Sequence, residues 1–545
     1  MKSVLFKLLG AGLFLFAEVS ASPFCGSSQI WNRISDAKDD RAAARSLGFA
    51  TTDCEAESYY DSAKVQEKTT EHFRIYYILE GPHKTSAAWI DTLARALEKS
   101  WNFHIQKHGT QKPLGANPTW HFQKTGDEAL YPVEVLDISL MRDNAELLGG
   151  FCTACMGVTF PPDNSNPSVT EIIIDNDFLY PDETSPVAQA SPECSFVKSS
   201  VPVQNSYTKR NYAEDDFALA LYTTAYHEFY HAVQASYVNM LLYDSYWFEA
   251  SATALEEVAS PTANDYWISL ATFFSSTGIP FYAMPSDYGI AVFGLYSLNA
   301  FNEKFDTRLW ERFSATPDSA FETIYAKELE SRKLDPDSAF DDFARRLLFA
   351  GTRAESADTA VRFTADFSDW PFSPRIQKAT TDELSLQAPA ISYRRLTTDS
   401  IPNLSNFRGK ASVALYGKQQ KAVFLSMDTL SWTGILPQIA EADSAVLILS
   451  RLRENVQKAN AEDTLPMRSY PNPWRGETPL CFANLPEKKN FIEIRTRAGK
   501  LVRRHPYTGT SLCIDADELS GKLAPGLYYF RAGNRNRTKP FLVIY

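Results

Sequence analysis

Short apolar runs alternate with segments of helical period between residues 66 and 375. Runs at 72–79, 133–140 and 171–175 predict strands, and the last of them is rich in isoleucine. Over 86–103, apolar residues recur every three to four positions behind Ser86, a residue type that favours the N-cap. This order of strands and helices predicts a mixed α+β domain over 66–375.

The helical period dominates from residue 215 onward. It predicts helices over 215–237, 246–259, 288–304 and 338–350. Asp215 and Asp216 fall in the first turn of the first of these helices, where the helix dipole favours negative charge. We therefore expect the second half of this domain to be helical.

After about residue 382 the pattern changes to short alternating strands, such as 411–415, 423–425 and 446–449. Alternation with period two predicts a β-sandwich accessory domain over 376–464. A proline-rich linker over 465–474 precedes further strands. The expected fold class is an α+β domain followed by all-β sandwich modules.

The N-terminus has the pattern of an export signal. Lys2 and Lys7 precede an apolar run at 8–16, and the small residues Val19 and Ala21 suit signal peptidase. The apolar run is shorter than the roughly 20 residues that a membrane span needs. We expect a signal peptide over 1–21, a propeptide or N-terminal arm over 22–65, no membrane span in the mature chain, and a secreted or cell-surface bacterial protein.

The net charge of -12 is unevenly distributed. From Pro466 onward there are 14 basic and 6 acidic residues, a surplus of +8, so the preceding residues carry -20. This asymmetry predicts a separate module over 465–545. The acidic body disfavours nucleic acid as a partner. The basic residues of the module suit either an anionic cell surface or simple solvation of a small domain.

Seven cysteines in an exported chain favour disulfides over reduced thiols. The candidate pairs are Cys481 with Cys513 and, less strongly, Cys25 with Cys54. Cys152 and Cys155 form one C-x-x-C, which is compatible with half a zinc knuckle, a redox pair or a loop staple that involves Cys194. The staple is favoured, because the sequence has no second C-x-x-C to complete a four-sulfur site.

One short motif carries candidate chemistry. His227, Glu228 and His231 form an H-E-x-x-H sequence inside the helix predicted at 215–237. Residues four apart leave one face of a helix one turn apart, so the two imidazoles can bind one tetrahedral Zn²⁺. Glu228 lies beside them and is predicted to be the catalytic base toward a water held by the metal.

A third ligand is predicted on the next helix. Glu249 follows His231 after 17 intervening residues, enough for one helix to end and a second to pack back against it. A carboxylate there completes a His2Glu site and leaves a fourth position for water. Glu256 and Glu257 are alternatives two turns further along. The predicted metal ligands are therefore His227, His231 and Glu249, with Zn²⁺ as the cofactor.

These residues resemble the motif of the gluzincin metallopeptidases, in which H-E-x-x-H is followed by a glutamate on the next helix, often within W-x-x-E-G-x-A. The sequence departs from that pattern at Ala250, where the family often has glycine. It lacks G-x-M-E-N, so the resemblance does not extend to the aminopeptidase branch. A closer resemblance, over 72–310, is to a group of secreted bacterial metalloproteases, through the segments HEFYHAVQ, IDNDF and WFEAS.

The resemblance implies a zincin-like metallopeptidase fold and a protein or peptide substrate. In such folds the strand before the motif helix pairs with extended substrate, which implies this role for 171–175; an ordinary core strand is the alternative. The oxyanion of the tetrahedral intermediate also needs a hydrogen-bond donor. Tyr288 is a candidate for it, with simple packing as the alternative.

The end of the chain resembles the C-terminal sorting domains of bacterial type IX secretion. Those domains share a Y-P-N-P start, an L-x-x-G-x-Y segment and a terminal apolar strand in an immunoglobulin-like sandwich. Here YPNP is at 470–473, LAPGLY at 523–528 and an apolar end at 540–545. The resemblance implies the secretion machinery as a partner. A plain accessory β-sandwich, with carbohydrate as its ligand, is the alternative.

Two functions of different classes follow. The first is a secreted zinc-dependent endopeptidase that hydrolyses peptide bonds by a metal-activated water. The alternative is a catalytically inactive zincin-like surface adhesion or polysaccharide-binding protein. Glu228 favours the enzyme, because a binding scaffold has no need of a carboxylate that is not a ligand at that position.

Overall fold

Helices and sheets are mixed along the chain in the computed structural model of the protein. The structure describes residues 64–81, 83–115, 130–138, 155–160, 168–180, 201–202, 204–205, 207–211, 216–238, 246–284, 288–316, 320–381, 384–417, 420–427, 431–453, 468–470, 479–483, 485, 490–496, 501–509, 511–519, 523, 526–532 and 539–543. The predicted signal peptide and almost all of the predicted arm lie outside these residues, as do Cys25, Cys54, Cys152 and Cys194.

The first sheet is mainly parallel. Its strands are β1 (Gln66–Thr69), β2 (Phe73–Tyr77), β3 (Leu114–Gly115), β4 (Tyr131–Leu136), β5 (Gly157–Phe160) and β6 (Val169–Asp175). The order is β1-β2-β4-β6-β3, and β5 also pairs with β6. β1 and β5 are antiparallel to their neighbours, whereas the β2-β4, β4-β6 and β3-β6 pairs are parallel.

Strand β6 is an interior strand, and this corrects the substrate-binding role that the resemblance implied for 171–175. Over residues 172–174, β6 pairs with β4 on one side and with β5 on the other. Its backbone groups therefore already have partners in the sheet and cannot accept an added peptide strand. Of the described strands, β5 is the one that lies outside β6 at this point.

Eight α-helices are described before residue 375, one between strands β2 and β3 and seven after the first sheet. They are α1 (Ala87–Trp101), α2 (Phe217–Tyr237), α3 (Tyr246–Ala259), α4 (Trp267–Ser276), α5 (Ala291–Phe301), α6 (Phe305–Ala315), α7 (Phe321–Ser331) and α8 (Pro336–Leu348). Two small ladders pair β7 (Leu179–Tyr180) with β8 (Val201–Pro202) and β9 (Gln204–Asn205) with β10 (Arg210–Asn211).

The helix starts follow capping chemistry. Ser86 caps α1 by accepting a hydrogen bond from the backbone N–H of Trp89 at 3.1 Å, as the sequence predicts. Asp216 is the N-cap of α2 rather than a first-turn residue, since its carboxylate accepts from the N–H of Leu219 at 3.2 Å. This corrects the prediction, which placed Asp216 in the first turn of the helix. Asp215 lies outside the described residues.

Aromatic packing fixes α2 on the first sheet. The ring of Phe229 in α2 meets the ring of Phe73 in β2 at 5.1 Å and the ring of Tyr131 in β4 at 5.8 Å. Phe73 also meets Trp101 of α1 at 5.9 Å. Such buried edge-to-face contacts add to the burial of apolar area. The helix that carries the H-E-x-x-H sequence therefore lies on a packed sheet face.

The predicted β-sandwich over 376–464 is wrong for the described residues. They form one sheet from β11 (Ile376–Lys378), β12 (Ala390–Arg395), β13 (Lys410–Tyr416), β14 (Val423–Ser426) and β15 (Ser444–Arg451), with helix α9 (Trp432–Glu441) beside it. The strand order is β11-β12-β15-β13-β14.

Alternate residues of this second sheet face opposite sides, and helices cover both. Tyr393 and Ile448 belong to the same core as the helical part, where the Tyr393 hydroxyl donates to the carbonyl of Ala344 in α8 at 2.8 Å. On the other side, Leu447 packs with Ile435 of α9. The second sheet is therefore continuous with the helical core, and no separate sandwich core is described there.

The C-terminal module contains two sheets around one core. Its elements are β16 (Arg468–Tyr470), β17 (Leu480–Ala483), β18 (Asn490–Thr496), β19 (Leu501–Tyr507), β20 (Ser511–Ile514), α10 (Ala516–Leu519), β21 (Gly526–Ala532) and β22 (Lys539–Val543). The sheets have the orders β16-β17-β20 and β19-β18-β21-β22. Phe482 of one sheet meets Phe530 of the other at 4.8 Å. Strand β16 lies within the predicted linker, so residues 468–470 belong to the module that was predicted over 465–545.

The predicted pair Cys481–Cys513 is confirmed as a disulfide, and the two residues are register partners in β17 and β20. Cys155 is also disulfide-bonded, to a residue outside the described part. None of the described helices is long and apolar enough to cross a membrane.

Candidate metal centre

The structure brings the three predicted ligands together. Nε2 of His227 lies 3.0 Å from Nε2 of His231, and Oε2 of Glu249 lies 3.3 Å from the first nitrogen and 3.5 Å from the second. All three side chains are buried. Helix α2 supplies the two histidines one turn apart, and α3, which packs against α2, supplies the carboxylate. The set forms a candidate site for one cation.

Glu256 does not join this set but supports it. Its Oε2 lies 2.8 Å from Nδ1 of His227, on the side of the ring that faces away from Glu249. A carboxylate beside the outer nitrogen holds the ring orientation and keeps the proton on Nδ1. Burial raises the pKa of Glu256, and the hydrogen bond and charge of His227 act in the opposite direction.

His231 has a neutral partner instead. Its Nδ1 lies 2.8 Å from Oε1 of Gln234. The amide nitrogen of Gln234 donates to the carbonyl of Phe248 at 3.0 Å and to Oγ of Ser251 at 2.9 Å. Because both of these hydrogen bonds are donated by the amide nitrogen, the amide oxygen of Gln234 faces His231 and accepts a hydrogen bond from it. The Nδ1 atom of His231 therefore carries the proton. Helix α3 thus orients both histidines.

This donor set fits a bound cation. In neutral imidazoles with the proton on Nδ1, both Nε2 atoms carry lone pairs, and Glu249 adds a carboxylate oxygen. Three electron-rich atoms within 3.5 Å of one another repel unless a cation or a proton lies among them. Two imidazoles and one carboxylate are a ligand set that Zn²⁺ takes in catalytic sites.

The electrostatics of Glu249 agree with this picture. Burial by itself would raise the pKa of its carboxyl, but protonated imidazoles of His231 and His227 outweigh burial by charge and hydrogen bonding and hold that pKa below its ordinary value. A cation among the three atoms would take the place of those protons and favour the same ionised carboxylate. Glu249 is therefore ionised, as a metal ligand must be.

Glu228 lies on the same helix turn as His227 and contacts strand β5. Its Oε2 accepts a hydrogen bond from the hydroxyl of Thr159 at 2.7 Å. A Cβ atom at Gly157 would lie 2.6 Å from Cγ of Glu228, closer than a side chain permits. The strand backbone thus packs directly on this side chain.

Tyr288 lies at the centre as well. Its ring is stacked on the ring of His227, with 6.0 Å between the centroids and 12° between the planes. Glu257, by contrast, accepts from the backbone N–H of Asn264 at 3.1 Å and belongs to a different cluster. Burial, together with the negative charge of Asp366, raises its pKa to about 9. Of the three glutamates considered on α3, only Glu249 has an oxygen beside both Nε2 atoms.

The centre is enclosed. His227 is 4% exposed, Glu228 1%, and His231 and Glu249 0%. A dry environment strengthens the electrostatic interactions of the ligands.

Sequence reasoning did not identify Thr159, Gly157, Gln234 and Ser251 as parts of the centre. Gln234 had a usable signal, because it follows His231 by three positions and therefore lies on the same helix face. Ser251 lacked this signal, because residues two positions apart, such as Glu249 and Ser251, do not share a face of α3. Thr159 and Gly157 had no such signal, since their contact with Glu228 spans about 70 residues of sequence.

A second group of possible ligands has another explanation. Nδ1 of His72 lies 2.7 Å from Oε2 of Glu98, its ring is stacked on Trp101 at 4.2 Å, and Glu71 is exposed. The backbone N–H of His72 also donates to Glu98 at 2.9 Å. These contacts connect β2 to α1, so the group stabilises the packing of the helix on the sheet.

Neither a protein-family model nor a characterised protein matches the chain. One similar solved structure is PorZ of Porphyromonas gingivalis, described as an essential surface component of the type IX secretion system. The match has 18% identity and a TM-score of 0.14, and it covers 18% of this chain and 14% of PorZ. A likeness of this size carries no argument about fold or function.

Proposed function

We propose that the protein is a secreted zinc-dependent endopeptidase with His227, His231 and Glu249 as the metal ligands. The observation that supports this proposal is the convergence of two Nε2 atoms and one carboxylate oxygen within 3.5 Å of one another, with a second carboxylate, Glu228, on the same helix turn. A purely structural histidine pair needs neither the third ligand nor the additional carboxylate.

When bound by His227, His231 and Glu249, zinc would supply Lewis acidity, which lowers the pKa of water to about 7 and polarises a carbonyl. Glu228 accepts the proton of the attacking water and later donates it to the leaving amine. Glu256 and Gln234 hold the two imidazoles with their Nε2 atoms toward the centre. Tyr288, stacked on His227, is the candidate hydrogen-bond donor to the developing oxyanion.

Strand β5 replaces β6 as the proposed substrate-binding edge. It is antiparallel to β6 and carries the two residues that contact Glu228. An extended peptide that lies alongside β5 would be next to the base and the metal ligands. Contacts to the peptide backbone bind many sequences, so the proposal is an endopeptidase of broad sequence tolerance.

The test combines metal analysis with hydrolysis assays on the full chain. We expect one zinc per chain and cleavage of a short peptide substrate, with casein cleaved more slowly because the centre is enclosed. Glu228→Gln should retain zinc and lose at least about 100-fold in rate. Glu249→Gln serves as the matched variant, since it makes the same change on a ligand and should lose zinc as well as activity.

Zinc at full occupancy without cleavage of either substrate would contradict the peptidase proposal and favour an inactive zincin-like scaffold. Retention of zinc by Glu249→Gln would contradict the ligand assignment instead. The two results are independent, because metal content is measured without substrate.

The proposal includes export and attachment through the C-terminal module. The Cys481–Cys513 disulfide is compatible with an oxidising compartment. A chain that ends after residue 465 should be synthesised and exported across the inner membrane yet fail to reach the cell surface. Fractionation of cells that produce the full and shortened chains tests this.

A further inference from the structure

Strand β5 holds Glu228 from two directions. The hydroxyl of Thr159 lies 2.7 Å from Oε2 of Glu228 and 2.9 Å from the backbone carbonyl oxygen of the same residue. Two residues earlier, the missing side chain of Gly157 lets the strand backbone approach Cγ of Glu228. Alternate residues of a strand share a face, so Gly157 and Thr159 meet Glu228 from the same side of β5.

This arrangement matters because a glutamate side chain has three rotatable bonds. A base must be held within a fraction of an ångström of the proton that it accepts, and freedom about those bonds lowers the rate. A hydrogen bond to an ionised oxygen is about twice as strong as one between neutral groups. Thr159 is 0% exposed, so water does not compete for its proton.

We propose that Thr159 is a positioning residue for Glu228, and that β5, the proposed substrate-binding edge, thereby also orients the base. The inference rests on the proposed peptidase function. Thr159 touches neither the metal ligands nor the substrate in this role; it acts only through the Glu228 carboxylate. The hydroxyl is the essential feature, and the methyl group contributes packing alone.

The kinetic test compares Thr159→Val with Thr159→Ser. Valine keeps the shape and removes the hydroxyl, so kcat should fall by about 10–100-fold, as it does when outer partners of a catalytic site are lost. KM should change less than about twofold and zinc content not at all. Serine retains the hydroxyl and should restore most of the rate. Thr223→Val is the matched control, because Thr223 is buried in α2 and its hydroxyl bonds only the carbonyl of Ala220 at 3.0 Å.

A second measurement needs no activity. In the zinc-free protein, Thr159→Val should lower the unfolding midpoint by about 2–4 °C, as expected for one buried hydrogen bond. In a Glu228→Ala background the same substitution should lower it by less, since the carboxylate acceptor is gone and only the backbone carbonyl of residue 228 remains within reach of the hydroxyl.

The outcomes separate the two proposals. An inactive wild-type protein with bound zinc overturns the peptidase function, and with it the catalytic role of Thr159. An active wild type whose kcat is unchanged by Thr159→Val overturns the positioning role alone. Equal midpoint shifts in both backgrounds show that Thr159 and Glu228 are not coupled, whatever the activity.

Discussion

The two histidines of the motif have chemically different partners. His227 faces the carboxylate of Glu256, whereas His231 faces the amide of Gln234. A carboxylate stabilises positive charge on the imidazole and raises its basicity, while an amide fixes orientation without adding charge. His227 is therefore the stronger donor of the pair, and under the proposed function the affinity of the centre for zinc depends on the Glu256 carboxylate.

Replacing Glu256 by glutamine tests this dependence. The amide can still accept from Nδ1 of His227, but the negative charge is lost, so zinc affinity should fall by about 10–100-fold. Competition with a chelator of known affinity measures the change. Glu257→Gln is the control, since the neighbouring residue is also buried but contacts Asn264 rather than a histidine. Equal zinc affinity in Glu256→Gln and the wild type would refute the role of the carboxylate.

At the scale of elements, the helices of the centre could be predicted from sequence and the strand that completes it could not. Helices α2 and α3 extend over 21 and 14 residues without glycine or proline, and runs of this length favour a helix over a strand. Strand β5 has four residues and begins with glycine, so it has too little pattern to detect. Whether β5 or β6 is the outer strand depends on pairing between distant segments, which local periodicity does not encode.

The second sheet is another part of the fold that local sequence pattern did not predict. Helix α9 contains Pro437, a residue that usually ends a helix, and it is surrounded by sequence that alternates like strands. The helix is maintained by tertiary burial of Ile435 and Ile439 against the sheet. Packing of this kind overrides local preference, and for that reason the all-β prediction for 376–464 failed.

Glycine at position 157 is required by the close approach of β5 to α2. In Gly157→Ala the new Cβ would meet Cγ of Glu228 at 2.6 Å and Cγ2 of Thr224 at 2.8 Å, so the strand or the helix must shift. We expect the free energy of unfolding to fall by about 1–3 kcal/mol and hydrolysis to slow, because Glu228 is displaced.

Denaturant unfolding and the peptide assay measure both effects. Gly278→Ala makes the same change at a site where the nearest atom would be 3.9 Å away, and it should leave stability and rate close to those of the wild type. Wild-type stability in Gly157→Ala would show that the contact between β5 and Glu228 is looser than the structure indicates.

At the scale of the whole molecule, the first sheet has two unlike faces. One face packs against α1 and α2 through aromatic and aliphatic residues. The other carries Arg74, Tyr76, Glu134 and Glu171, all of them buried. Glu134 of β4 is the register partner of Ile173 of β6. Because alternate residues of a strand share a face, Glu171 of β6 lies on the same face of the sheet as Ile173 and Glu134. Two carboxyl groups in one dry layer cannot both ionise without a large electrostatic cost.

This layer makes stability depend on pH. Burial raises the pKa of Glu134 from 4.5 to about 7, and Glu171 beside it offsets only part of the shift. Between these two pH values the folded protein holds a proton that the unfolded chain has released. The contribution of Glu134 to the free energy of unfolding therefore decreases as pH rises from about 4.5 to about 7 and is constant above that range. Burial lowers the pKa of His104 and of His108, and these two groups contribute in the opposite direction.

Glu134→Gln replaces the carboxyl by a neutral group of the same size, so the decrease in unfolding free energy across this pH range should become smaller. Asp265 and Asp306, whose pKa values burial raises to about 7 and about 6, keep part of the slope. Denaturant unfolding at several pH values, with the exposed Glu441→Gln as a control for the loss of one negative charge, measures the difference. If the unfolding free energies of Glu134→Gln and the wild type changed equally with pH, the proton would be held by another group on this face of the sheet. Glu171 is the carboxyl beside Glu134.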